Sequence, residues 1–187
     1  MRCRQGGVAA VECALLALVF FALVGGTFEL TRLLYVYNTV QEVTRRAAAA
    51  AVHVYPLDSA AIAAVRQDAV FRTTPGPLVL AAPITDRHVR LTWLRWNLVP
   101  IAEGALPPTA ARNRQICTAD PHASNCIRFV QAQICDPDVG TTCAAVTSST
   151  LFPFVRLPLP LHKATTIEPV VTMGYTPGTS PWPCPCS

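Results

Sequence analysis

The strongest constraint on the fold is an apolar run from Val8 to Phe28 that contains a single charged residue, Glu12. A helix of this length measures about 31 Å at about 1.5 Å per residue, which matches a bilayer hydrocarbon core of about 30 Å. A carboxylate in hydrocarbon is costly, which makes Glu12 a candidate functional residue. It could instead snorkel to the headgroups and stabilise the helix N-terminus. The sequence predicts a membrane-spanning helix and leaves both roles of Glu12 open.

The basic residues on either side of this run predict its orientation. Arg2 and Arg4 precede it, and no comparable basic pair follows until residues 45–46. The positive-inside rule therefore places the N-terminus in the cytoplasm and the rest of the chain across the membrane. The main alternative is an ordinary secretory signal cleaved near Val24-Gly25-Gly26. Against it, the run is longer than a typical signal, contains Glu12 and continues into helical sequence.

Residues 5–55 resemble a known family. A basic leader ends at Gly7, and Glu12 is the fifth residue after it, which resembles the type III signal of type IV pilins and pseudopilins. The fuller pattern comprises Gly7-Val-Ala-Ala-Val-Glu12, residues 28–38 and Arg45-Arg46-Ala47-Ala48-Ala49. It is similar to the TadE-like minor pseudopilins of tight-adherence (Flp) pilus systems. In that family Phe commonly follows the glutamate, whereas this chain has Cys13.

The resemblance implies processing and partners. A prepilin peptidase would cleave between Gly7 and Val8, and Glu12 would then neutralise the new ammonium group of its own or a neighbouring chain. The implied partners are the bacterial inner membrane, other pilins or pseudopilins and the pilus assembly machinery. The implied function is assembly or priming of the pilus, with a single-pass protein whose head is periplasmic. A rival reading is a secreted or membrane-anchored, disulfide-rich binding module.

The cysteines indicate an oxidising compartment. Cys3 lies in the leader and Cys13 in the apolar run, which leaves six in the remainder of the chain. An even set of this kind beyond a membrane segment predicts a disulfide framework, and six cysteines allow fifteen pairings. Zinc bound by Cys117, His122 and Cys126 is the alternative, although no Cys-x-x-Cys pair is present. The candidate disulfide residues are Cys117, Cys126, Cys135, Cys143, Cys184 and Cys186.

The distribution of proline divides the chain into an N-terminal helix and a head. All 17 prolines occur from Pro56 onward. We therefore predict a leader (1–7), the membrane part of one long helix (8–28), its extracytoplasmic part (29–55) and an α+β head (56–187). In residues 33–54, apolar residues recur at spacings of three and four, which predicts one face packed on the head.

Within the head the pattern predicts one short helix and a small antiparallel sheet. Asp58 is a candidate N-cap for a helix through about Arg72. Alternation predicts a strand over 89–98 with a bulge near Trp93-Leu94, and further strands over 126–135 and 165–175. Residues 78–82 could add an edge, while 100–119, 136–150 and the proline-broken run 151–161 are predicted to be loops.

No pattern in the chain indicates an enzyme, a cofactor or a metal site. There is no nucleophile elbow, phosphate loop, dinucleotide fingerprint or metalloprotease helix, and the four histidines form no ligand pattern. After residue 55, ten Lys or Arg and eight Asp or Glu are spread without a basic stripe, so we expect no nucleic-acid partner. The sequence predicts a membrane-anchored assembly or binding protein.

Overall fold

The computed structural model describes residues 6–81, 83–139, 142–148, 150 and 158–175. A single long helix, α1 (Gly6–Ala51), precedes a head that contains α2 (Ser59–Ala69), α3 (Ala110–Ala119) and five strands. This arrangement confirms the predicted α+β class.

Three of the strands form the central sheet of the head. They are β1 (Val89–Leu94), β2 (Phe129–Ile134) and β5 (Thr165–Pro169). The order is β1-β2-β5, and both pairings are antiparallel, with Leu91 opposite Ala132 and Gln131 opposite Ile167. Alternate residues of β2 are buried, which gives the sheet one core face and one outer face. The sheet is antiparallel, as predicted.

The C-terminal half of α1 lies across the core face of this sheet and contacts all three of its strands. Small residues such as Ala47 and Ala51 are fully buried there and let the helix approach the strands closely. The Thr44 hydroxyl lies 2.9 Å from that of Thr166 in β5, so one polar pair also joins helix and sheet. The buried apolar residues of this part of α1 are Val36, Val40, Val43, Ala47, Ala48 and Ala51. The predicted packing face is therefore present.

The C-terminal ends of α1 and α2 differ slightly from the predicted bounds. α1 ends at Ala51 rather than Tyr55, because the next amides bond three residues back, as in Val54 N–H to the Ala51 carbonyl, and Pro56 disfavours further helix. Asp58 caps α2 as predicted, accepting a bond from the Ala61 amide at 3.0 Å. α2 ends at Ala69 because Phe71 adopts a left-handed conformation (φ 60°) that closes the helix.

The predicted bulge in the first strand is wrong. β1 ends at Leu94, and the chain reverses in a tight turn in which the Arg95 amide donates to the Val99 carbonyl at 3.1 Å. The change of phase in the sequence therefore marks a reversal of the chain, and Trp96 and Leu98 are exposed on the turn. Pro100 then returns to bridge Leu94.

The largest difference from prediction is α3, which lies in a segment expected to be a loop. Thr109 caps it through the Arg112 amide at 3.1 Å. Few of its residues are apolar, and only Ala111 and Asn113 are buried, so it carries no apolar stripe that periodicity could detect.

The remaining strand predictions were too long or misplaced. The third strand ends at Pro169, after which Val171 is exposed and Met173 is buried with a positive φ. The chain at 78–81 forms turns rather than an edge strand. Two short strands, β3 (Thr147–Ser148) and β4 (Leu159–Pro160), pair within the predicted loops. Residues 151–157 of the proline-broken run lie outside the described residues.

Candidate membrane and assembly site

The first part of α1 forms an exposed apolar rod. Among the described residues, one helix is long and apolar enough to cross a membrane, over Gly7–Ala51, and none of its most apolar 18-residue window is buried. The first buried side chain of α1 is Val36. From Val8 to Tyr35 the helix therefore extends about 41 Å at about 1.5 Å per residue, enough to cross a hydrocarbon core with about 10 Å to spare.

The predicted processing residues lie in the first turns of this rod. α1 begins at Gly6, so Gly7 and Val8 are already helical. A Cβ added at Gly7 would meet no atom of the described residues within 4 Å, so none of these residues requires glycine at that position. Gly26, farther along the same helix, is equally open. A requirement for glycine at residue 7 would therefore come from something other than packing within the described part of the chain.

Glu12 is exposed one turn beyond Val8. Residues four apart in a helix lie on the same face, so the Glu12 carboxylate is on the side of the helix occupied by Val8. Within the described part of the chain, Glu12 forms no hydrogen bond or ion pair. By contrast, Glu29, at the other end of the apolar run, pairs with Arg32 at 3.1 Å. Glu12 is thus a carboxylate in an apolar surface, positioned beside the residue that cleavage after Gly7 would make the N-terminus.

In the part of the head that the structure describes there are two disulfides, one at each end of the central strand β2. Cys117, near the end of α3, is bonded to Cys126, which precedes β2. Cys135, directly after β2, is bonded to Cys143 in the following loop. Since Cys117 and Cys126 are joined to each other, they are not zinc ligands, and no cluster of metal-ligating side chains occurs among the described residues. The bridges therefore attach neighbouring segments to the two ends of β2, the central strand with which β1 and β5 both pair.

The other cysteines differ in position. Cys13 is an unpaired thiol on the exposed surface of α1. Cys3, Cys184 and Cys186 lie outside the described residues, so their predicted pairing stays a prediction.

A groove at the distal end of the head was missed by sequence reasoning, because it depends on α3. Its volume is about 410 Å³, and it lies between α3 and the chain that follows β5. Asn113 fastens α3 beside it by accepting a bond from the Ile127 amide at 2.9 Å. The Arg114 guanidinium lies 5.0 Å from the centre of the Tyr175 ring, a cation–π contact at the rim. The groove lies at the end of the head where α1 ends, since the Met173 amide in its lining donates to the Val52 carbonyl at 3.0 Å.

The pKa values of two titratable groups in the head are shifted by their surroundings. Burial raises the pKa of Tyr55 to about 12, and its hydroxyl donates a hydrogen bond to the Pro107 carbonyl. Burial also lowers the pKa of His88 below its usual value, against the opposing effect of Asp136, Asp138 and Asp86. The Thr85 amide donates to Nδ1 of His88 at 3.0 Å, which places the proton of the neutral ring on Nε2.

A known protein family matches both the exposed part of α1 and most of the part that packs on the head. Residues 7–49 match the family model described as TadE-like protein. The match confirms the predicted resemblance over this segment, which begins at Gly7 and ends two residues before the end of α1. No curated protein and no solved structure matches the chain.

Proposed function

From the TadE-like character of residues 7–49, we propose that this chain is a minor pseudopilin of a tight-adherence (Flp) pilus system. It is anchored in the bacterial inner membrane by α1, with its N-terminus in the cytoplasm and its head in the periplasm. The observation that carries the proposal is the division of α1 within the matched segment. The first part is an exposed apolar rod, and the second part is the core helix of a disulfide-bonded head.

This division gives each part of α1 a separate task. The buried part holds the head rigidly on the helix, through its apolar contacts with the sheet and the Thr44–Thr166 pair. The exposed part is long enough to cross the bilayer and presents large apolar side chains on all sides. In a pilus or an assembly complex, the same surface packs against the helices of other pilins or pseudopilins. The assembly machinery then moves the rod and the head as one unit.

Glu12 supplies the specificity of that packing. Cleavage by a prepilin peptidase after Gly7 creates an ammonium group at Val8, about 6 Å along the axis from Glu12 at about 1.5 Å per residue. In a bundle of such helices, the carboxylate pairs with the ammonium group of its own or a neighbouring chain. The pairing offsets the cost of two charges in an apolar setting and fixes the axial register of the helices.

Substitutions in α1 separate processing from assembly. Gly7→Ala should block removal of the leader, and Gly26→Ala is the matched control, since both glycines have open space around them. Glu12→Gln should leave a cleaved, membrane-inserted protein that fails to support piliation, whereas Glu42→Gln, on the part of α1 within the head, should assemble normally. Processing is read by intact mass and piliation by electron microscopy. Normal piliation with Glu12→Gln would refute this role and leave Glu12 as a snorkelling residue.

A further inference from the structure

An apolar loop of the head lies beside the exposed part of α1. The chain from Thr73 to Thr85 has no charged residue. Within this stretch, Val79 is 58% exposed and Leu80 71% exposed, while Leu78 and Ala81 on either side are buried. Leu80 has a φ of 57°, a conformation that is costly for a leucine. Two large apolar side chains are thus held outward on a backbone that is fixed by its neighbours.

The fixation of this loop comes from its own hydrogen bonds. The Leu78 amide donates to the Ile84 carbonyl at 2.7 Å, and the Ile84 amide donates to the Ala81 carbonyl at 2.9 Å. The Arg72 guanidinium packs against Gly76, where an added Cβ would meet Arg72 Nε at 2.8 Å, and it donates to the Pro77 carbonyl at 3.3 Å. The exposure of Val79 and Leu80 is therefore a fixed feature of the fold.

The height of the loop along α1 coincides with the end of the apolar run. The Tyr35 hydroxyl donates to the Val79 carbonyl at 3.4 Å, and Phe28, Thr31, Val79 and Leu80 line a shared groove of about 640 Å³. Thr31 lies about 4.5 Å beyond Phe28 along the helix at about 1.5 Å per residue. The interfacial layer of a bilayer extends about 5–8 Å beyond the hydrocarbon on each side. With Phe28 at the hydrocarbon boundary, the α1 residues beside Val79 and Leu80, from Phe28 to Tyr35, extend to about 10 Å beyond it at about 1.5 Å per residue, a range that includes this layer.

We infer that Val79 and Leu80 form a second membrane contact, inserted into the phospholipid interface of the leaflet that α1 exits. This inference rests on the proposed membrane span of α1. Exposed apolar residues continue along α1 from Phe28 through Leu30 and Leu34, so the apolar surface passes from the span to the level of the loop. With two attachments, the head cannot rotate freely about the axis of α1, and its distal groove is held at a fixed orientation above the membrane.

Phospholipid suits this groove because of the groups at its rim. Two guanidinium groups, those of Arg32 and Arg72, line it beside the apolar side chains. Arg32 pairs with the Glu29 carboxylate at 3.1 Å, whereas Arg72 forms no ion pair among the described residues, so Arg72 supplies the positive charge of the groove. Apolar residues beside guanidinium groups match acyl chains beside phosphates. The neighbouring helix of another subunit is the competing occupant, and the test distinguishes the two.

The test measures the depth of spin labels on the full-length protein in vesicles of phosphatidylethanolamine and phosphatidylglycerol. Labels are placed at Leu80→Cys, at Leu18→Cys in the span, and at Leu98→Cys as the control. Leu98 is the matched control, because it also has a left-handed backbone (φ 60°) and is 50% exposed. It lies on the turn after β1, where the chain continues to Ile101, which packs with Tyr55 at the distal end of the head. The background replaces the cysteines outside the two disulfides with serine, at positions 3, 13, 184 and 186.

The expected result is that labels at Leu18 and Leu80 collide more often with oxygen than with a water-soluble nickel chelate, and that this ratio is reversed at Leu98. A label at Leu80 that resembles the one at Leu98, with Leu18 still in lipid, overturns the second contact and leaves the anchor intact. A label at Leu80 screened from both reagents also overturns it and indicates a protein occupant. Nickel access at Leu18 contradicts the span itself, and with it both proposals.

Discussion

Removing each disulfide separately should destabilise the head by an amount set by the loop that it closes. Cys117 and Cys126 are nine positions apart, and Cys135 and Cys143 are eight apart. For closed loops of about ten and nine residues, the loss of unfolded-state entropy stabilises the fold by about 2.7 and 2.6 kcal/mol. In a chain of 187 residues, each loss corresponds to a fall in Tm of about 5–11 °C.

The positions of the bridges also predict how the two losses combine. They flank β2, whose six residues span about 20 Å at about 3.3 Å per residue. Effects of sites this far apart, with no shared partner, are normally additive. Removing both bridges should therefore cost about 5.3 kcal/mol, the sum of the two loop-closure terms.

The assay is thermal unfolding of the full-length protein in detergent, followed by circular dichroism. Each cysteine pair is replaced by alanine, because Cys126 and Cys135 are buried and a serine hydroxyl there would lack partners. Cys13→Ala, which removes the unpaired thiol of α1, is the control and should leave Tm unchanged. An unchanged Tm on removal of either pair, or a combined loss far below the sum, would refute the loop-closure reasoning.

Three further predictions concern topology, core packing and pH. A reporter active only outside the cytoplasm should work when fused after residue 60, and carbonate washing should leave the protein in the membrane; a wholly soluble periplasmic pool would exclude the anchor. Ala47→Leu should lower the free energy of unfolding by about 1–3 kcal/mol, because it overpacks the fully buried contact of α1 with the sheet. The control Ala49→Leu, on the exposed face of the same helix, should unfold like wild type in denaturant titration. Because burial lowers the pKa of His88 below its ordinary value of 6.5, the unfolded chain binds this proton more readily, so stability should fall as pH drops below 6.5. This His88-dependent slope of Tm against pH should be absent in His88→Gln and present in the His162→Gln control.

The parts of the fold that sequence predicted well are those in which one periodic signal dominates. The apolar run and the stripe that follows it define α1, and Asp58 marks the start of α2 through its side-chain cap. The alternation of β2 comes from one buried and one outer face of the sheet. In each case local chemistry and tertiary packing favour the same structure, so the prediction requires no knowledge of distant contacts.

The parts that it missed depend on contacts between distant segments. α3 is polar, and the bonds between Asn113 and Ile127 that fix it to the start of β2 join residues 14 apart. The phase change near Trp93 is compatible with either a bulge or a reversal, and only the pairing of Leu94 with Pro100 decides between them. Likewise, the spacing of cysteines does not determine their pairing, which follows from the positions of the loops around β2.

The most direct test of the proposed function is the N-terminus of the mature wild-type protein. Intact mass spectrometry of protein extracted from membranes of cells that contain the prepilin peptidase gives this in one measurement. The proposal predicts a chain that begins at Val8, with Glu12 as its fifth residue. A chain that begins at Thr27 would indicate an ordinary secretory signal, and one that begins at Met1 would show that the leader is retained; either result contradicts the proposal.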